Sequence, residues 1–214
     1  TAVGRTEDLV PAIEKCFTNE DFNAPQFGTE GMRAINPLWL LKGLSNNVLG
    51  FGTAELDARG INQNYCNSGV GGLQAIGEAA WALAEGRADA LLAGGSDCAT
   101  GPFHLTGFGR LRTLTSAKQP HEIRPFDIRH DGFAPAEGAA FFGLERLSYA
   151  RKRGARTLAR LVGYADSCAA RHLPIGEATT VALNMKRAMD HAGWRANEVD
   201  LIYAHGNGTV AFDR

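Results

Sequence analysis

The 214-residue chain carries four cysteines and six histidines, and one of each stands in a context suited to chemistry. Cys66 lies in Asn64-Tyr65-Cys66-Asn67-Ser68-Gly69, between a stretch that reads as extended and one that reads as helical. A cysteine at a helix N-terminus meets the positive end of the dipole and free backbone N–H groups, and both favour thiolate over thiol. A strand-to-helix turn also lifts its side chain clear of a sheet, as nucleophile elbows do. Gly69, Gly71 and Gly72 leave room for close packing beneath it. The competing reading is a buried cysteine acting as a small hydrophobe, the commoner fate of a cysteine. Cys16, Cys98 and Cys168 lack the elbow context and read as packing residues.

His205 lies in Tyr203-Ala204-His205-Gly206-Asn207-Gly208-Thr209. A histidine after an apolar run, backed by G-x-G, leaves space for a ligand to reach the imidazole. A core histidine bonded to backbone is the competing reading. His104, His121, His130, His172 and His191 give no signal of their own. No cysteine pair or Cys/His spacing suits a structural zinc, so no metal site is expected.

The elements that must carry these two residues follow from periodicity. Residues 70–84 repeat small and apolar side chains at helical spacing, with Gly86 as the stop. Residues 88–93 form a short apolar strand closed by Gly94-Gly95, and 138–144 read as a central strand. Cysteine, helix, strand and glycine pair in that order suggest a βαβ unit and a largely parallel sheet. Residues 148–153 read as a short basic helix ended by Gly154. A second set follows: strand 158–164, helix 178–192 with Val181, Met185, Ala188 and Met189 inward, and strand 199–204. Upstream, 8–17 predicts an amphipathic helix, followed by a polar loop to residue 35. Asn36-Pro37 then starts a helix carrying Leu38, Leu41, Leu44 and Val48. Residues 99–135 show little periodicity, and a long irregular stretch in a compact domain is usually functional. Cys66 and His205 both fall at expected ends of regular elements, where open α/β sheets bind ligands.

Composition excludes several classes. Hydrophobic residues make up 44% and charged residues 21%, so the chain can build a core. Basic and acidic side chains number 22 and 23, a balance without the electrostatic footprint of a nucleic-acid binder. No apolar run reaches the length of a membrane span. With no secretory signal legible, and a chain too core-rich to need disulfides, a reducing cytoplasmic setting is expected.

Taken together, the segments resemble the β-ketoacyl synthase family of the thiolase superfamily. The ordered blocks are the Cys66 elbow, then Ala88-Asp89-Ala90-Leu91-Leu92-Ala93-Gly94-Gly95, then Gly107-Phe108-Gly109 with Leu114-Thr115. Arg124-Pro125-Phe126-Asp127, Asp131-Gly132-Phe133, Glu137-Gly138-Ala139 and Ala204-His205-Gly206-Asn207-Gly208-Thr209 follow. The last block is similar to the family's H-G-T-G-T. The resemblance implies an α/β thiolase-like fold, layered α/β/α/β/α and incomplete at both ends. Residues 1–155 would hold most of the N-terminal half with the nucleophile. Residues 156–214 would begin the C-terminal half with the first active-site histidine.

It also implies a decarboxylative Claisen condensation of an acyl thioester with malonyl-carrier protein. Cys66 would carry the acyl group, and its backbone N–H would form half of an oxyanion hole. His205 would promote decarboxylation and stabilise the enolate oxygen. Phe108, Asn207 and Thr209 would line the substrate, with Thr209 bonding the pantetheine arm. Asp127, Asp131 and Glu137 would form a bracing polar network. Arg110 and Arg112 would face an acyl carrier protein, or serve as ordinary solvated arginines. Phosphopantetheine would arrive on that carrier, and no bound cofactor is implied. A homodimer or ketosynthase-like heterodimer is expected, with 60–64 near the dyad.

Departures from the family pattern are Tyr65 and Asn67 flanking the cysteine, Asn207 in the glycine loop, Val210 and Phe212. They leave open a non-catalytic, chain-length-factor-like partner subunit. A thiolase-type enzyme acting on coenzyme A esters is a third reading, which the R-P-F-D and D-G-F blocks oppose.

Overall fold

The computed structural model describes residues 8–170 and 177–213. In chain order the elements begin with helix α1 (Val10–Glu14), a hairpin of β1 (Phe17–Thr18) and β2 (Asp21–Phe22), and short helices α2 (Ala24–Gln26) and α3 (Met32–Ala34). Helices α4 (Trp39–Lys42) and α5 (Asn47–Glu55) precede α6 (Gly71–Ala84), strand β3 (Ala90–Cys98) and α7 (Pro102–Arg110). Strand β4 (Glu137–Glu145), α8 (Leu147–Lys152) and α9 (Ala178–Ala192) complete the set.

Helix ends follow the glycines. Gly86 takes φ +73 and donates to Leu83 at 3.1 Å, while Arg87 donates to Ala82 at 2.9 Å. That is the paired-bond stop of a Schellman turn, which closes the orphan carbonyls of α6. Gly154 and Gly193, both at φ +69, end α8 and α9 through the same pair of bonds. At the other end of α9, Glu177 caps the helix by accepting the Thr180 N–H.

The centre is a two-stranded ladder with one helix on it. β3 and β4 pair antiparallel, with Ala93 opposite Phe142 and Gly94 opposite Phe141. Helix α6 packs on β3 so closely that a Cβ on Gly95 would lie 3.1 Å from the Gly72 Cα. Only two glycines permit that approach. Ala82 and Leu83 of α6 and Ala93 of β3 are buried.

Several expectations are corrected here. The ladder is antiparallel, not parallel. β3 pairs with β4, which returns after the long 99–136 excursion, and 60–65 ahead of Cys66 joins no ladder among the described residues. Among the described residues, the one parallel contact is the isolated bridge between Leu114 and Phe133. β3 runs on to Cys98 instead of closing at Gly94-Gly95, because Phe141 and α6 fill the space those glycines leave. The irregular 99–135 stretch contains α7, started by Gly101 and Pro102. Gly107 and Gly109 had masked its helical pattern. The loop before residue 35 is largely helical, with a π-turn at Phe27–Gly31. The helix after Asn36-Pro37 is broken between α4 and α5.

Segments 158–164 and 199–204 form no ladder among the described residues. A strand exists only with a hydrogen-bonding neighbour, and none adjoins them among the described residues; Leu158, Leu201 and Tyr203 are 85%, 81% and 99% exposed. Segment 158–166 is instead placed by α6 and α9. Tyr164 lies on Gly77, meets Trp81 edge-on at 5.3 Å, and its backbone bonds His191 Nδ1 at 3.2 Å. Burial, then the Asp166 charge, push the Tyr164 phenol up to about 12. In α9, Ala188 and Met189 are half-buried as expected, but Val181 and Met185 are exposed. The accessible surface is 16117 Å², against about 9,600 Å² expected for a folded monomer of this mass. Faces patterned as core therefore remain open. No helix among the described residues is long and apolar enough to cross a membrane.

Candidate active site

Cys66 is exposed and reduced. A 3₁₀ turn at Ser68–Val70 intervenes between it and α6, which starts at Gly71. The helix dipole therefore acts from farther away than the elbow reading supposed, since its field fades within a turn. The turn is tight: Ser68 takes φ +51, and a Cβ on Gly71 would lie 3.0 Å from the Tyr65 carbonyl oxygen. Asn64 donates its amide to the Cys66 sulfur at 3.4 Å and to Ser45 Oγ at 2.9 Å. Asn67 donates to Gln74, and Gln74 donates to Asp166 at 3.3 Å. The elbow is thereby tied to α6 and to the 158–166 segment. Tyr65 turns away, its hydroxyl donating to Gln63 at 2.7 Å. Burial, then the Glu78 charge, raise the Tyr65 phenol above its ordinary value.

His205 is exposed and meets the Phe212 ring edge-on at 5.8 Å. The loop after it folds back on itself. Asn207 Oδ1 accepts the Thr209 N–H at 2.9 Å and the Thr209 hydroxyl at 2.7 Å. Thr209 is 5% exposed. The hydroxyl expected to bond a pantetheine arm thus has its proton on Asn207. Gly208, at φ +80, passes over Gly132 so tightly that a Cβ would come 2.5 Å from the Gly132 carbonyl oxygen. Gly132 precedes Phe133, whose ring meets Phe108 edge-on at 5.0 Å. Phe108 is half-buried in α7, so it packs against this loop cluster.

The three acids expected to share one network occupy separate ones. Asp127 accepts from Arg129 Nε and Nη2, each at 2.9 Å. Those bonds hold its carboxyl well below the usual range. Asp131 accepts from the Ser116 hydroxyl, the Thr115 hydroxyl and the Ser116 N–H, which lower it to about 2. Glu137 accepts the Cys98 thiol at 3.0 Å. Cys98 and Cys168 are exposed, not packed; only Cys16 is buried, donating to the Ala12 carbonyl at 3.0 Å. Arg110 ends α7, Arg112 follows it at φ +55, and both are exposed. His172 lies outside the described residues.

Among the described residues, no hydrogen bond, ion pair or ring contact joins Cys66 to His205; each is presented on its own loop. Nor does any group of three or more His, Cys, Asp or Glu among them suit a metal ion. Sequence reasoning missed Asn64, Gln74 and Asp213. Asn64 had a signal, since residues two apart in extended backbone share a side. Gln74 and Asp213 had none, because their partners are distant in sequence.

The chain matches the family described as beta-ketoacyl synthase, N-terminal domain, over residues 24–150. It is similar to a 3-oxoacyl-[acyl-carrier-protein] synthase 2 of Coxiella burnetii, at 34% identity over 99% of this chain and 50% of that protein. It is 39% identical to a putative polyketide beta-ketoacyl synthase 1 of Streptomyces halstedii, over 73% of this chain and 38% of that one. A solved complex of a type II polyketide acyl-carrier protein with its ketosynthase bound to the hexaketide superposes with a TM-score of 0.78 at 26% identity. That match covers 97% of this chain and 50% of the other. The chain spans half or less of the length of each of these proteins. The fold is the thiolase-like one of the ketosynthases, in part. With the R-P-F-D loop, the Cys66 elbow and the His205 glycine loop all in place, the chain belongs to the β-ketoacyl synthase family.

Proposed function

We propose that this chain supplies the acyl-accepting cysteine and one histidine of a β-ketoacyl-[acyl-carrier-protein] synthase. The observation that carries this reading is the exposed Cys66 at a tight turn with the Asn64 amide on its sulfur, in a chain of this family. The Cys66 thiolate attacks an acyl thioester on a carrier protein, and the carrier's pantetheine sulfur leaves as a thiol after taking a proton. Malonyl-carrier protein then loses carbon dioxide, and the carbon–carbon bonding pair becomes an enolate. His205 donates a hydrogen bond to the enolate oxygen. The enolate carbon attacks the Cys66 thioester, a carbon–carbon bond forms, the carbon–sulfur bond breaks, and Cys66 is released as thiolate. These groups account for every bond change, with no bound cofactor.

Residues 1–155 and 156–214 act as the nucleophile-bearing and histidine-bearing parts, within a dimeric cytoplasmic protein. Arg110 and Arg112 form a small basic face for the acidic carrier. One observation favours a second reading, a non-catalytic partner subunit: Asn207 holds the Thr209 hydroxyl, removing a donor from the pantetheine end. Intact mass separates the two. The full-length protein incubated with acyl-carrier protein gains one acyl group, and Cys66→Ala does not. No adduct, or one that survives Cys66→Ala, overturns the catalytic reading.

A further inference from the structure

Cys66 stands between two asparagines that are held by different elements. Ahead of it, Asn64 donates its amide to Ser45 Oγ at 2.9 Å, in the turn between α4 and α5. Behind it, Asn67 donates its amide to Gln74 Oε1, and Gln74 Nε2 donates to Asp166 Oδ2 at 3.3 Å, 92 residues on. A carboxylate only accepts, so Asp166 takes the nitrogen of the Gln74 amide and leaves the oxygen for Asn67. The relay meets a backbone that has little else to hold it. Among the described residues, 64–66 make no backbone–backbone hydrogen bond, and Asn67 accepts the Val70 N–H at 3.3 Å. Ser68 follows at φ +51, a left-handed conformation that a serine keeps only when its surroundings impose it. The far end of the relay is firm. Two residues before Asp166, Tyr164 lies on Gly77 of α6, and its backbone bonds His191 of α9.

We propose that Gln74 is a positioning residue for Cys66. It fixes the Asn67–Ser68 turn against the 158–166 segment, and so fixes the direction in which the sulfur and the Cys66 backbone N–H meet the acyl carbonyl. This inference rests on the condensing reading above. Among the described residues, the side chains of Asn67, Gln74 and Asp166 bond one another in series and none bonds the Cys66 sulfur. The relay therefore acts on the geometry of attack and leaves the reactivity of the thiol itself unchanged.

The test uses the full-length protein. Gln74→Met keeps the length of the side chain and removes both bonds. Single-turnover acylation by saturating acyl-carrier protein should slow about tenfold. Alkylation of Cys66 by iodoacetamide, a small reagent that demands little orientation, should stay within about twofold. Asn67→Ala and Asp166→Ala, at residues that share no direct bond, should each slow acylation about fivefold or more. Together they should slow it no further than the stronger of the two, because both break one relay. An unchanged acylation rate in Gln74→Met, or losses that multiply in the double variant, overturns the relay. Equal loss of acylation and alkylation means that the thiol itself has changed, and overturns the positioning role. If the unaltered protein accepts no acyl group, the condensing reading fails on its own. Amide hydrogen exchange at Val70, whose partner is the Asn67 carbonyl, then still decides the tether: exchange about tenfold faster in Gln74→Met supports it, and unchanged exchange overturns it.

Discussion

The backbone beneath Cys66 rests on a helix and a nine-residue ladder, whereas the backbone beside His205 hangs from one carboxylate. At the elbow, α6 lies on β3 through Gly72 and Gly95, and Ala82 and Leu83 of α6 and Ala93 of β3 are buried. At the His205 loop, the preceding 199–204 segment is exposed and joins no ladder among the described residues, and the Asp213 carboxylate accepts the Asn207, Gly208 and Phe126 N–H groups. Two residues of one proposed reaction are thus held by different physics. One depends on van der Waals packing and many backbone bonds, the other on a few ionic hydrogen bonds. Damage to the first spreads through the core; damage to the second stays local.

The largest expected effect breaks the better-supported side. A Cβ on Gly94 would lie 2.1 Å from the Ala140 carbonyl oxygen and 2.7 Å from the Phe141 Cα, neither of which can move without opening the β3–β4 ladder. Gly94→Ala should cost about 3 kcal/mol or more in urea denaturation of the full-length protein. A cost below about 1 kcal/mol would show that the ladder is looser than its register implies. Next comes Asn64→Ala, which removes the donor on the Cys66 sulfur. Acylation by acyl-carrier protein should slow about tenfold with stability nearly unchanged; an unaltered rate would detach Asn64 from the chemistry.

The loop side should respond more mildly. Gly206 stands at φ +39, and a Cβ there meets the far edge of the Phe126 ring. Gly206→Ala should cost only about 1 kcal/mol, about a third of the Gly94 effect. Equal costs at the two positions would erase the contrast between packed and clamped backbone. A Lys186→Ala change at the exposed Lys186–Asp190 pair on α9 should move stability by no more than about 0.5 kcal/mol, and sets the floor for the comparison.

Acid separates the regions in another way. Asp131 binds its proton less readily when folded, at about 2 against an ordinary carboxyl near 3.9. Its contribution is therefore fully present above roughly pH 4 and is lost as pH falls towards about 2. Asp127 and Glu145, lowered by Arg129 and Arg153, have the same sign. A carboxyl carbon titration should place the Asp131 midpoint near 2; a midpoint near 3.9 would mean that the Thr115–Ser116 clamp does not hold in solution.

Much of the local structure was legible. Glycine stops at Gly86 and Gly154 were readable because a left-handed C′ residue is a local requirement. Helix 178–192 was readable from its period, and Cys66 from its place ahead of one. Strand direction was not legible, because β3 finds β4 only after the chain returns from the 99–136 excursion. The separation of Asp127, Asp131 and Glu137 was equally hidden. Their donors come by different routes and not by the spacing of the acids: Arg129 lies two residues along the chain, Cys98 faces Glu137 across the β3–β4 ladder, and Ser116 is brought by a loop.

By itself the sequence determined α6, α8 and α9 and where they stop, since each depends on neighbours a few positions away. Only the tertiary structure decided that Asn64 donates to Ser45, that Gln74 ties the elbow to Asp166, and that Asp213 bonds Phe126 from 87 residues away. Those bonds are short in space and long in sequence, and no local pattern of side chains encodes them.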